Sequence, residues 1–221
     1  MTVVVAIDGP SGSGKSTVAR GVADALGLDV LDTGAMYRAI TQAVLTRGVD
    51  PHDAATCAQI ARDVEVDLGE RVLLDGIDVT SAIRGPEVTG AVSTVSAHPE
   101  VRSVLVDRQR VWVDARHGGV VEGRDIGTVV FPDATVKVFL TASDDERARR
   151  RQRDEHDAKR QVDVDKVRDE LARRDHLDSN RQTSPLKAAP DAEAIDTTGR
   201  SVSDVVEHIV QRVRATTSKA D

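Results

Sequence analysis

The sequence predicts an α/β fold, a parallel sheet flanked by helices, with an inserted subdomain that carries a small antiparallel sheet. Three observations predict it. Continuous β-branched runs recur along the 221 residues, as expected of strands buried on both faces of a parallel sheet, and segments of helical period separate them. A glycine-rich segment, "GPSGSGKS", joins the first such run to the first helical segment. From about Thr33 to Arg102 the alternation breaks and shorter runs of two-residue period appear.

The first run, "TVVVAID", reads as a buried strand. After the glycine-rich loop, "KSTVARGVADALG" places Val18, Val22 and Leu26 at four-residue spacing and stops at Gly27, the pattern of a helix packed on a sheet. Runs at "LDVLD", "GGVVEG", "ATVKVFLTAS" and "AEAIDTTG" supply four more strands, and "SVSDVVEHIVQRVRA" supplies a closing helix, so five parallel strands are expected. The break contains a helix, then "VEVDLGERVLLDGIDVT", whose alternation and turns at Gly69 and Gly76 predict an antiparallel meander, then further helix. The segment "ERARRRQRDEHDAKRQVDVD" is polar nearly throughout and cannot offer a broad apolar face, so an exposed, mobile flap is expected there.

Composition narrows the function. An apolar fraction of 39% and a charged fraction of 30% fit a folded, soluble chain, and no run of about eighteen apolar residues could span a bilayer. Nothing at the N-terminus resembles a secretory signal, and Cys57 is the one cysteine, which points to a reducing cytoplasm and excludes both a disulfide framework and a Cys-based zinc site. A net charge of −7 disfavours binding to nucleic acid or to an anionic membrane, so an anionic ligand must be held by local arginines.

The glycine-rich loop carries the chemistry. Gly9, Gly14, Lys15 and Ser16 fit G-x4-G-K-[ST], a phosphate-binding loop, between a strand and a helix as that motif requires. Consecutive backbone N–H groups must turn toward phosphate oxygens, which needs glycine-permissive dihedrals, and the helix N-terminus adds its positive dipole. Residues Gly9, Pro10, Ser11, Gly12, Ser13, Gly14, Lys15, Ser16 and Thr17 would form the nucleotide cradle, with Lys15 on the β- and γ-phosphates and the Ser16 hydroxyl on Mg2+. Such a loop serves GTPases, motors and small-molecule kinases alike. No "NKxD"-like guanine-reading segment occurs and the chain is short for a motor, which moves kinase chemistry ahead.

Three other segments carry candidate site residues. "LDTGAMYRAI" places Arg38 one helical turn after Gly34 at the end of the second strand, where open α/β sheets bind ligands, although a capped helix with an exposed arginine would look the same. "VVEGRDIGTVVF" ends a strand in Glu122, Arg124 and Asp125; these are either solvated loop charges or a carboxylate for the magnesium shell beside an Arg–Asp pair that reads phosphate and base. "ARRDHLDSNR" sets Arg174, Asp178 and Arg181 three or four residues apart, which suits either a salt-bridged solvent face or a site.

Together with "STVSAHPEVRSVLVDRQR", "KVFLTAS" and the insertion of about seventy residues, these segments make the chain resemble the bacterial cytidylate kinases, a branch of the nucleoside monophosphate kinases. The resemblance covers nearly the whole chain. It implies a core of residues 1–32, 103–146 and 166–221, an acceptor-binding insertion over 33–102, and a mobile lid over 147–165. It implies that Ser93, Arg102 and Asp125 contact cytosine, that Thr33 and Tyr37 line the acceptor pocket, that Arg174 and Asp178 hold the ribose, and that Arg38, Arg124 and Arg181 clamp phosphates. Arg150 and Arg153 are the lid residues expected to meet ATP. The family commonly has Asp at Glu122 and Ser at Thr33, substitutions that keep the functional group and change reach or bulk. The reaction implied is transfer of the γ-phosphoryl group of ATP, with Mg2+, to CMP or dCMP by a monomer in the cytoplasm. Phosphorylation of another monophosphate or of a small alcohol such as shikimate, and a nucleotide-binding switch without transfer, are the alternatives.

Overall fold

A computed structural model describes residues 2–157 and 162–218. Residues 158–161, part of the expected lid, lie outside the described residues. The chain runs β1 (Val3–Asp8), α1 (Lys15–Leu26), β2 (Val30–Asp32), α2 (Thr33–Thr46), α3 (Ala54–Asp63), β3 (Val66–Leu68), β4 (Val72–Leu74), β5 (Ile77–Asp78), a 3₁₀ turn (Ala82–Arg84), α4 (Pro86–Ala97) and α5 (Pro99–Ala115). It continues through β6 (Gly118–Gly123), a π-helical turn (Ile126–Val130), β7 (Val136–Thr141), α6 (Asp144–Asp157), α7 (Val164–Ser179), β8 (Glu193–Asp196) and α8 (Val202–Thr217). Two compact units result, one of residues 1–30 and 116–221, the other of residues 31–115. No helix among the described residues is long and apolar enough to cross a membrane.

The five strands expected from the β-branched runs form one parallel sheet in the order β2-β6-β1-β7-β8. β1 is central: Asp8 pairs in register with Gly123 of β6 and with Phe139 of β7, so β1 and β6 finish level while β7 runs on to Thr141. Strands that leave β1 in opposite directions open a crevice at that end, which is where such sheets bind ligands. Val4 to Asp8 are all buried, which is why the sequence shows an unbroken run rather than an alternation.

One face of this sheet is covered by α1 and α8. Val18, Val22 and Ala23 pack with Val5, Ile7, Val138 and Leu140 of the strands and with Val205, Ile209 and Val213 of α8. The two helices approach closely at Gly21, where a Cβ would stand 2.7 Å from Val206 Cγ2. Gly27 ends α1 in the left-handed conformation at φ 66°, its N–H donating to Ala23 O, as the sequence signal at that glycine predicts. Ser201 caps α8 by accepting from Asp204 N at 3.1 Å.

The unit of residues 31–115 has its own apolar core. Ala35 and Ala39 of α2 pack with Val72, Val79 and Ile83, flanked by Val66, Leu68 and Leu74. The predicted meander is there: β4 pairs antiparallel with β3 (Val66 opposite Leu74) and with β5 (Leu74 opposite Ile77). Asp32 starts α2 by accepting from Ala35 N at 2.9 Å, and Asp53 starts α3 by accepting from Thr56 N at 3.1 Å. α5 belongs whole to this unit, up to Ala115.

α6 is as polar as its sequence, yet it buries Arg147, Ala148 and Glu155. The apolar contribution is a single residue, Ala148, which packs with Val167 and Leu171 of α7, and Val162 and Val164 flank this seam. Across the seam Arg168 of α7 pairs with Asp145 at 3.0 Å, and within α6 Arg150 pairs with Glu146 at 2.9 Å and Arg151 with Glu155 at 2.5 Å, each one helical turn apart.

The sheet–helix core makes a direct prediction. Ile209 is fully buried between α8 and the sheet, so Ile209→Ala removes its packing and leaves a cavity; denaturant unfolding should show a loss of about 3 kcal/mol with an unchanged dependence on denaturant.

Candidate functional site

In the unit of residues 1–30 and 116–221 the phosphate-loop residues sit between the end of β1 and the start of α1. Gly14 takes the position before the helix with φ 90°, which leaves the first N–H groups of α1 without side-chain caps. Gly9 allows no side chain, because a Cβ there would lie 2.1 Å from Leu140 O of the neighbouring strand and its φ is 150°. Pro10 O accepts from Lys15 Nζ at 2.7 Å and from Ser13 Oγ at 3.0 Å, while Gly14 O accepts from Val18 N at 3.0 Å. Lys15 is buried; burial and the neighbouring Arg124 push its pKa down, opposed by Glu122, Asp175 and Asp8. Ser16 is half-buried and Thr17 exposed, both in the first turn of α1.

The residues after β6 close on the same loop. Arg124 donates through Nη1 to Gly9 O at 2.7 Å and through Nε to Asp178 Oδ2 at 2.9 Å. Glu122 and Asp125, both buried, stand on either side of it in sequence. Asp125 precedes the π-helical turn, and its carbonyl accepts from Val129 N at 2.9 Å. On α7, Arg174 and Asp178 are buried. Burial lowers the Arg174 pKa to about 10, and Arg124 adds to that effect. Burial also works against ionised Asp178, but Arg124 and Arg181 outweigh it and hold the carboxyl below the usual carboxylate range. Arg181 donates to Ser184 O at 2.8 Å and lies 3.9 Å from Asp178 Oδ1. Lys15, Glu122, Arg124, Arg174, Asp178 and Arg181 therefore belong to one electrostatic cluster of this unit.

The two arginines expected to meet ATP differ. Arg150 donates to Glu146 Oε1, to Thr197 Oγ1 and to Thr197 O, each at 2.9 Å, and its Nη1 lies 3.3 Å from where a Cβ on Gly14 would be. Arg153 is exposed, with Glu146 at 3.8 Å.

In the unit of residues 31–115, α2 carries Thr33, Tyr37 and Arg38. The Arg102 guanidinium lies over the Tyr37 ring at 5.3 Å from its centroid and donates to Ser96 O at 3.3 Å. Arg38 donates through Nη1 to Ile83 O at 2.8 Å and to Thr89 Oγ1 at 3.0 Å. Ser93 is buried on α4, in the turn whose carbonyl accepts from Ser96 Oγ at 3.3 Å. The predicted pocket residues Tyr37 and Arg102 thus meet within this unit.

Four residues that the sequence does not single out hold this site. Asp8 accepts from Ile126 N and Gly127 N, each at 2.8 Å, and so fixes the turn that follows Arg124 and Asp125. Burial raises the Asp8 pKa to about 6 against these two N–H groups. Asp175 accepts from Ser11 N at 3.2 Å and pairs with Arg147, which donates to Ser11 O at 3.0 Å. Burial opposes the Arg147 charge, but Asp144 and Asp175 outweigh it and raise the pKa. Thr197 donates toward Ser13 O at 3.1 Å. The one signal available was position: Asp8 and Thr197 both close β-branched runs, at strand ends where ligands bind.

Comparison with known proteins agrees with the resemblance drawn from the motifs. The family model described as "Cytidylate kinase" matches residues 5–215. The chain is 51% identical over 217 residues to a cytidylate kinase of Mycobacterium avium, covering 96% of this chain and 95% of that protein. It is 50% identical over 217 residues to one of Geobacillus kaustophilus, covering 96% of each. Among solved structures, a gluconokinase from Sinorhizobium meliloti shares the fold at a TM-score of 0.52 and 13% identity, covering 99% of this chain and 95% of that one.

Asp8 carries a pH prediction. Its folded pKa, about 6, exceeds the ordinary 3.8, so the native state binds the proton more tightly; the stability from that proton is fully present below the lower value and is lost as pH rises through the upper one. Asp8→Asn keeps a neutral group at all pH values but cannot accept both N–H groups. The stability gap between wild type and variant should narrow by about 3 kcal/mol between about pH 3 and about pH 7, read by denaturant titration at each pH. A gap that widens would contradict the assignment.

Proposed function

The chain belongs to the cytidylate kinase family, and from that premise we propose that it transfers the γ-phosphoryl group of ATP to CMP or dCMP, giving CDP or dCDP and ADP. The observation that carries the reading is the phosphate loop with buried Lys15 beside Arg124, which is itself tied to Asp178 of α7. Loop N–H groups from Gly12 to Thr17 suit the β-phosphate of ATP, and Lys15 suits the oxygens between β- and γ-phosphoryl groups. Arg38, Arg124 and Arg181 suit the transferring group and the acceptor phosphate, because a planar fork meets two phosphate oxygens at once, and Arg174 and Asp178 suit the ribose. Arg150 beside Gly14 suits the ATP phosphates, and Arg153 is assigned a lesser part at the same end.

Magnesium fits the oxygen donors available. The half-buried Ser16 hydroxyl at the start of α1 and the buried Glu122 carboxylate near Lys15 are hard ligands. Among the described residues no group of three or more His, Cys, Asp or Glu could hold a metal ion, which suits a cation held mainly by phosphates. When bound, it would neutralise phosphate charge; Ser16 would meet it directly and Glu122 through water.

No general base is required. A phosphate monoester has its second pKa near 6 and is largely dianionic at neutral pH, so the acceptor attacks as it stands. Catalysis is then positioning and charge: the arginines bring two anions together, and bonding electrons from the β–γ bridge leave with ADP as the acceptor oxygen binds the γ-phosphorus. For acceptor choice, Asp125 suits the exocyclic amine of cytosine, with Ser93 and Arg102 for its ring acceptors, and Thr33 and Tyr37 for the rest of the acceptor pocket.

A coupled ADP assay with CMP, dCMP, UMP, AMP, GMP and shikimate tests the reading. Turnover is expected with CMP and dCMP. Efficient turnover with another acceptor would overturn the acceptor assignment, and acceptor-independent hydrolysis alone would favour a nucleotide switch. Asp125→Asn should lower kcat/KM for CMP by about ten- to a hundredfold and improve the relative use of UMP, whose ring offers a carbonyl there. Unchanged discrimination would remove Asp125 from base reading.

A further inference from the structure

Thr197 lies just past the end of β8, outside every segment that the motifs single out, and it is 4% exposed. Its hydroxyl has three neighbours: Ser13 O of the phosphate loop at 3.1 Å, Thr141 O at the end of β7 at 2.9 Å, and Arg150 Nη1 at 2.9 Å. A hydroxyl donates one proton. The two carbonyls compete for it, so the arginine must meet the lone pairs, and the hydroxyl is oriented by its own surroundings. Thr141 O already accepts from Thr197 N at 2.8 Å, which leaves Ser13 O as the carbonyl with more need of the proton. The Thr197 carbonyl accepts from Arg150 Nη2 at 2.9 Å, so both oxygens of this residue hold the same guanidinium. Glu146 takes Nε at 2.9 Å, and this fixes the plane of the fork beside Gly14.

We propose that Thr197 is a positioning residue for the ATP half of the reaction, holding Arg150 against the phosphate loop while it anchors the Ser13 carbonyl. The proposal rests on the reading that the loop binds ATP and that Arg150 meets it. Three chain segments converge on one buried side chain: the loop after β1, the end of β7 and the second turn of α6. The spacing between loop and arginine is therefore set by the sheet rather than by α6 alone. A preset arginine costs less side-chain entropy on nucleotide binding than one that must be ordered from solvent.

The test compares Thr197→Val, which keeps the shape and removes the hydroxyl, with Thr197→Ser, which keeps the hydroxyl. Kd for Mg·ATP by calorimetry, without acceptor, is read alongside KM for ATP and for CMP. Thr197→Val should weaken ATP binding and kcat/KM for ATP by about tenfold, with KM for CMP within about twofold of wild type, and Thr197→Ser should recover to within about threefold. In an Arg150→Ala background, Thr197→Val should add a smaller loss, no more than about threefold, because only the anchor on the Ser13 carbonyl then remains to be lost. Thermal melts accompany each variant; should Thr197→Val not fold, Thr197→Ala carries the same comparison. Wild-type ATP affinity in the hydroxyl-free variant, an equal loss in both backgrounds, or equal losses for ATP and CMP would each overturn the proposal. A wild-type enzyme that binds ATP but does not phosphorylate CMP would instead overturn the acceptor reading, and the binding comparison would still decide the role of Thr197.

Discussion

Backbone N–H groups can turn toward a phosphate only if the loop that bears them is held by something else, and in this chain it is held by its carbonyl oxygens. Gly9 O accepts from Arg124, Pro10 O from Lys15 and Ser13, Ser11 O from Arg147, Ser13 O from Thr197, and Gly14 O from the helix it starts. Carbonyls carry partial negative charge, so pointing them at cationic and hydroxyl side chains also takes that charge away from the anion-facing side. The rest of the unit follows from this need. Level strand ends put Glu122, Arg124 and the turn after them beside β1, and the Asp8 carboxylate locks that turn through two N–H groups. α6 and α7, with only a small apolar seam between them, are tied to the loop by the Arg147–Asp175 pair. The loop is the common partner of elements far apart in sequence.

How much of this could be read from the sequence depends on the distance over which each signal acts. The strands were legible because burial on both faces leaves an unbroken β-branched run, as in β1, and the loop was legible because its glycines answer a local backbone demand. The meander was legible from Gly69 and Gly76, which mark its turns between short alternating runs. Thr197 and Asp175 were not, since each is an ordinary polar residue whose partners lie 184 and 164 residues away, Ser13 and Ser11. No pattern of period or spacing encodes such a pair. Asp8 was hidden for another reason: it closes a strand, where a charge reads as a solvent-facing end, and only the fold shows it buried against the turn after β6. The seam around Ala148 was hidden because one small residue in a run of arginines does not register as a face.

The charge balance of the cluster explains why its arginines are where they are. Lys15 and Arg174 are both buried, and each is pushed toward the neutral form first by that burial and then by Arg124. Asp178 answers from the middle, held ionised by Arg124 and Arg181. Cations that destabilise one another in a poorly hydrated place are unfavourable for the fold, and the two carboxylates of the cluster, Glu122 and Asp178, do not neutralise its three arginines and one lysine. A phosphate dianion placed among them relieves the repulsion and meets groups that need no further desolvation. On the proposed reading, charge that builds on the oxygens between donor and acceptor during transfer would meet cations already fixed, because Arg124 is held by Gly9 O and Asp178. The instability of the cluster and its proposed affinity for phosphate would thus share one cause, and a variant that eases the first by removing a cation should weaken the second.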